Sequence, residues 1–191
     1  MEDEDRRALL RSARDSIRRA LAGDWSPTAT RAGGELGEPR GVFVTLHMGG
    51  DLRGCIGYIE PVVPLAQAVE EVAAKSALED PRFPPLTKRE LQEVEIEISV
   101  LSPLTRVRDA REIKVGVHGL VVSSGFRRGL LLPQVATEYG WERDEFLSHT
   151  CLKAGLPPES WKEERVEIYS FTTDVFSERE MRQEVNDAHS P

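Results

Sequence analysis

The segment 41–59 constrains the fold most. Gly41-Val42-Phe43-Val44-Thr45-Leu46-His47-Met48 is apolar and β-branched, so it reads as a strand. Gly49-Gly50-Asp51 supplies a turn, and Leu52 to Ile59 returns as a second strand interrupted by Gly54 and Gly57. Two such runs joined by a glycine turn make a hairpin, which Pro61 and Pro64 end. A doubly wound parallel sheet needs regular strand–helix–strand alternation, and the rest of the chain does not supply it.

Ala8, Leu9, Ala13, Ile17, Ala20 and Leu21 recur at helical spacing, which predicts an amphipathic helix over 3–22. A proline- and glycine-rich loop follows over 26–40, mobile by its composition. After the hairpin, a second helix is expected over 64–78, and the three prolines of 79–85 hold that stretch extended. Thr87 caps a short helix through Leu91, with Glu90 completing a capping box. Val94 to Leu101 alternates as a half-buried strand, with Glu97 and Ser99 on its polar side. Further strands are expected at 111–117, 119–124, 129–132 and 166–172, with helices from Pro133 and over 141–154. The acidic tail, 179–191, reads as frayed. The expectation is an α+β fold: an antiparallel or mixed sheet with packed helices.

Twenty-five basic against 33 acidic residues give a net charge of −8, which disfavours nucleic acid and anionic lipid as partners. Arg127-Arg128 and Arg106 with Arg108 are the visible basic clusters, and both read more simply as solvated loop charges. Two cysteines, Cys55 and Cys151, make no disulfide framework. The polar start MEDEDRR is unlike a signal peptide, and no apolar run approaches the roughly 20 residues that span a bilayer. A soluble, cytoplasmic protein is expected.

Chemistry concentrates in Leu52-Arg53-Gly54-Cys55-Ile56-Gly57. Gly54 and Gly57 leave the Cys55 thiol little steric cover, and Arg53 lies two residues earlier, on the same face of a regular strand. A nearby guanidinium favours thiolate, which makes Cys55 a candidate nucleophile. The alternative is a small buried cysteine in a glycine-bent strand. His118, before Gly119, is a candidate general base or else a solvated turn residue. Arg82, beside Asp80 in Asp80-Pro81-Arg82-Phe83, can clamp an anion or simply pair with Asp80 or Glu97. Glu97 and Gln134 can line a cleft or face water. Cys151 lies on the apolar face of its helix and reads as core. No cysteine–histidine pair has zinc spacing and no nucleotide-binding loop is present, so neither metal nor cofactor is expected.

LRGCIG at 52–57, together with Asp80-Pro81-Arg82-Phe83, Ile98-Ser99-Val100-Leu101-Ser102-Pro103, His118-Gly119-Leu120 and Gly129-Leu130-Leu131-Leu132-Pro133-Gln134, resembles the AMMECR domain family. The resemblance runs from about Leu9 to Phe176 with no clear departure at these segments. It implies a single domain over 1–191 with two unequal lobes and LRGCIG near the cleft between them. It also implies relatives that occur beside, or fused to, Memo-like and radical S-adenosylmethionine proteins, hence a modification pathway acting on a protein, nucleic acid or small molecule. Two functions follow as expectations. One is an enzyme with Cys55 as nucleophile, Arg53 stabilising its thiolate and His118 as base, while Arg82, Asp80, Glu97 and Gln134 hold substrate. The other is a non-catalytic module that binds a ligand or partner of that pathway.

Overall fold

The structure, a computed structural model, describes residues 1–26 and 33–187, the last four without their side chains. Residues 27–32 of the loop expected at 26–40 lie outside the described residues, and its remainder carries a short 3-10 turn at Gly34–Gly37. The chain forms two compact units, Met1–Val100 with Asp174–Pro191, and Leu101–Thr173.

The first unit contains α1 (Asp3–Ala20), β1 (Val42–Met48), β2 (Asp51–Tyr58), α2 (Leu65–Leu78), β3 (Glu95–Leu101), β8 (Thr173–Ser177) and α5 (Glu178–Asp187). Its sheet runs β2-β1-β3-β8, and β1 is antiparallel to both β2 and β3. Strand alternation sends Val42, Val44, Leu46, Ile96 and Ile98 to one face, where all are fully buried. Phe43, Thr45, His47, Glu95 and Glu97 take the other face and are partly exposed. Helix α2 packs on β1 and β2 with one side and on α1 with the other. That explains why nine of its 14 residues are buried and why its sequence is apolar nearly all round.

Arg14 of α1 ties this unit together. Its guanidinium donates to the carbonyls of Leu91 (2.6 Å) and Val94 (2.8 Å) and forms a two-pronged pair with Glu178, at 2.6 and 2.5 Å. Glu178 in turn accepts the Ile96 amide at 3.1 Å. Expected from sequence to be frayed, the chain after Glu178 is helix as far as Asp187, and this anchor sits at its first residue. Residues 188–191 lie outside the described residues.

The second unit contains β4 (Thr105–Arg106), β5 (Gly119–Ser124), β6 (Arg127–Leu131), α3 (Pro133–Glu138), α4 (Arg143–Lys153) and β7 (Glu167–Phe171). Its sheet, β4-β7-β5-β6, is antiparallel throughout. Helix α4 crosses β6 so closely that a Cβ on Gly129 would lie 2.3 Å from the Ala154 amide nitrogen. Cys151 is fully buried in the same core. Residues 111–117 are not the strand their composition predicts. Asp109 caps a 3-10 turn there by accepting the Arg111 amide at 2.8 Å, and Val117 and His118 both turn back to the Lys114 carbonyl. Gly116, at φ +80°, permits that reversal. The sequence does not predict β4, which at two residues shows no period, or β8.

Arg14→Ala removes the cation from a half-buried network and strands Glu178 and two carbonyls. We expect a loss of about 2–4 kcal/mol in urea unfolding. A change within error contradicts the structural role given to this residue.

Candidate functional site

The LRGCIG segment is β2. Gly49 and Gly50 make the hairpin turn with φ of +63° and +93°, the backbone region that a two-residue turn of matching twist requires. From there Met48 pairs with Asp51 and His47 with Leu52, but Leu46 pairs with Gly54. Arg53 is therefore an extra residue, a β-bulge. A straight count from the turn would set Cys55 opposite Val44, pointing into the core. The bulge sets it opposite Thr45, on the other face. Thr45 Oγ1 donates to the Cys55 sulfur at 3.2 Å. On its other side Thr45 faces Glu97 of β3, so Cys55, Thr45 and Glu97 form one row across three strands.

Helix α2 fixes the next feature. A Cβ on Gly54 would fall 2.2 Å from the Ser76 carbonyl oxygen, so only glycine lets the helix lie this close. The Ser76 hydroxyl accepts from the Ile56 amide (2.9 Å) and donates to the Val44 carbonyl (2.8 Å), locking helix to hairpin. Asp80 follows the end of α2. One carboxylate oxygen accepts the Cys55 amide at 2.8 Å. Arg82 pairs with the same carboxylate at 2.7 Å and donates to the Cys55 carbonyl at 3.1 Å. Because β2 is an edge strand, these are the backbone groups a missing neighbour would have bonded. The 79–85 segment is thus not simply extended: the Phe83 amide bonds the Asp80 carbonyl at 3.1 Å, making a turn that folds Arg82 back. Asp80 is 4% exposed, and its carboxyl is held far below the ordinary carboxylate range by Arg82 first, then by the Cys55 and Arg82 amides, against the effect of burial.

Arg53 does not serve the thiol as a regular strand would predict. The bulge directs it to Glu90, 3.0 Å from Nε, and its side chain is 9% exposed. The Phe83 ring lies near both guanidinium groups, its centre 5.9 Å from Arg53 Cζ and 5.5 Å from Arg82 Cζ. Glu90 also completes the capping box expected with Thr87, and its carboxyl is pulled down to about 2, by Arg53 first and Thr87 next. The cation acting on Cys55 is Arg82. Burial pushes the Cys55 thiol up, the Thr45 hydroxyl and Arg82 draw it down, Asp80 and Glu97 push it up, and the balance lies above the ordinary value.

Cys55, Asp80, Arg82 and Glu97 thus come together in the first unit. His118 and Gln134 belong to the second. His118 Nδ1 accepts the Lys114 amide at 3.2 Å, which places the proton of the neutral ring on Nε2. Gln134 is half-buried in the first turn of α3. The sequence reading missed Thr45, Ser76 and the role of Phe43, whose ring occupies the space a Cβ on Gly57 would need. Cross-strand counting is the one signal that could have found Thr45, and the bulge defeats it. Among the described residues, no group of three or more His, Cys, Asp or Glu is placed to hold a metal ion, and no helix is long and apolar enough to cross a membrane.

A carboxyl with a lowered folded pKa stabilises the fold above its unfolded value and loses that contribution as pH falls through the folded one. For Glu90 the window runs from its ordinary 4.5 down to about 2. With its side chain 25% exposed, solvent screening leaves a contribution on the order of 1 kcal/mol. Urea unfolding at about pH 7 and pH 3 should show the wild type losing most of this and Glu90→Gln losing none of it. Equal acid losses in the two proteins contradict the assignment.

The AMMECR1 family profile matches residues 10–176. Protein MJ0810 of Methanocaldococcus jannaschii is 51% identical over 156 residues, 78% of each chain. A protein of Methanothermobacter thermautotrophicus is 51% identical over 145 residues, 73% of this chain and 76% of that one. The crystal structure of the uncharacterised protein PH0010 from Pyrococcus horikoshii superposes with a TM-score of 0.85 at 42% identity, covering 93% of both chains. A profile match over most of the sequence, with relatives at about half identity, shows that this chain belongs to the AMMECR1 family.

Proposed function

We propose that this protein is a binding module, in which the LRGCIG strand and the Asp80–Pro85 loop form the surface that holds a partner in a modification pathway. The partners we assign by family resemblance are the Memo-like and radical S-adenosylmethionine proteins, met in the cytoplasm. The observation that carries this reading is the use to which the motif's polar groups are put. Both backbone groups of Cys55 are taken by Asp80 and Arg82, and Arg53 is spent on Glu90. The thiol itself is pushed toward its protonated form. What the clasp leaves outward is the Arg82 side chain, 53% exposed, beside Phe83. An arginine on an aromatic ring is the kind of anchor that protein interfaces use. The family match spans residues 10–176 and so runs through both compact units, which supports reading them as lobes of one domain.

A second reading keeps Cys55 as a nucleophile, with Arg82 rather than Arg53 as the cation beside it. Its support is that Cys55 is partly exposed whereas Cys151 is buried, and that the Thr45 hydroxyl and Arg82 both favour thiolate.

Titration calorimetry between this chain and the purified Memo-like protein of the same organism separates the two. On the module reading Cys55→Ala and Cys55→Ser keep binding within about twofold, and Arg82→Ala weakens it by about tenfold. Alkylation of Cys55 by iodoacetamide should rise with pH through about 9 without levelling near neutrality. A plateau below about pH 8 restores the nucleophile, and full binding by Arg82→Ala removes the proposed surface.

A further inference from the structure

Tyr139, Trp141 and His149 form a near-parallel stack where α3 gives way to α4. The Trp141 ring lies 3.8 Å from that of His149, at 4°, and 4.9 Å from that of Tyr139, at 15°. Local structure sets this up. Helix α3 closes at Tyr139, Gly140 takes φ +66°, and the Trp141 amide returns to the Ala136 carbonyl at 2.8 Å. The capping box of Glu142 and Glu145 then starts α4, which carries His149 one turn beyond Glu145. Trp141 packs against the core cluster of Phe146 and Leu147, so its ring has a structural use. Tyr139 has none of that cover: it is 69% exposed, and its hydroxyl has no hydrogen-bond partner among the described residues.

The charge beside the stack is negative. Residues 138–145 hold four carboxylates, Glu138, Glu142, Asp144 and Glu145, against one cation, Arg143. Arg143 is taken by Asp144 at 3.0 Å. Glu142 and Glu145 bond backbone amides, which leaves their charge unmatched by a cation. Glu138 is exposed and has no partner among the described residues. Each ring thus has such a carboxylate close by: Glu138 precedes Tyr139, Glu142 follows Trp141, and Glu145 lies one turn before His149.

We infer that this stack is a docking site for an arginine-bearing segment of a partner protein, in the second unit and outside the LRGCIG surface. A guanidinium lies on the exposed Tyr139 ring and pairs with Glu138, while further basic residues of the segment answer Glu142 and Glu145. A guanidinium is planar and weakly hydrated, so it stacks on a ring and bonds a carboxylate at the same time, which an ammonium does less well. Rings already ordered by stacking lose little freedom when the partner arrives. Nucleobases also stack on aromatic side chains, but they bring phosphates, which these carboxylates repel. A purely apolar partner would bury the carboxylates without counter-ions.

Calorimetric titration of the full chain with end-capped tetra-arginine, and with tetralysine as the ammonium control, tests this. Tetra-arginine should bind saturably and about fivefold more tightly than tetralysine. Tyr139→Ala should weaken tetra-arginine by about fivefold, Tyr139→Phe should retain it, and Glu138→Gln should weaken it by about threefold. Glu164→Gln, which removes an exposed carboxylate of the same unit away from the stack, should change nothing. Equal weakening by Glu138→Gln and Glu164→Gln means diffuse attraction to an acidic surface and overturns the proposal. Equal affinity for the two peptides, or full binding by Tyr139→Ala, overturns it as well. Sedimentation velocity covers the other occupant: a wild-type dimer that Tyr139→Ala dissociates gives the stack to a second copy of this chain and likewise overturns the proposal.

Discussion

A single unpaired residue in β2 sets the chemical character of the LRGCIG motif. The bulge at Arg53 changes which side of the sheet every later residue of the strand faces. Cys55 is thereby moved from the core, where Val44 would have met it, to a face shared with Thr45 and Glu97. The same bulge turns Arg53 toward Glu90. Each glycine of the motif then has a separate steric task. Gly54 admits the backbone of α2, and Gly57 admits the Phe43 ring. The motif is a joint between a hairpin, a helix and a loop, and its side chains follow from the demands of that joint.

The exposed edge of β2 is the second constraint. An open edge invites pairing with another chain. Here Asp80 and Arg82 take the amide and carbonyl of Cys55. The carboxylate is buried and the guanidinium is half in water, so the pair is neither a buried ion pair nor a loose surface one. Its value lies in satisfying a fixed acceptor and a fixed donor at once, which a hydrophobic pair cannot do. Arg14 with Glu178 works in the same way at the other side of the unit, joining α1, β3 and α5 through main-chain groups. In the first unit several arginines hold backbone in place.

Much of the fold was legible in the sequence. The Gly49-Gly50 hairpin, the α2 helix, the Thr87–Glu90 capping box and the buried Cys151 rest on local signals, which survive tertiary packing. The failures share a cause. The bulge has no local signature apart from a glycine after Arg53, and counting from the turn gives the wrong face for Cys55. Residues 111–117 carry strand-like composition, but Asp109 and Gly116 close turns at either end. The last helix is polar, and its first residue is held by Arg14, some 164 positions away in sequence.

The account depends on the clasp at Cys55, and the exchange of its backbone amide with solvent tests that most directly. An amide on the free edge of a sheet normally exchanges fast, because nothing but water bonds it. If Asp80 holds it as described, the Cys55 amide should be protected to nearly the same degree as the buried β1 amides of Val44 and Leu46, and Asp80→Ala, which removes the acceptor, should release it. Fast exchange at Cys55 in the wild-type protein, matching that of exposed loop amides, contradicts the clasp and with it the arrangement of the site.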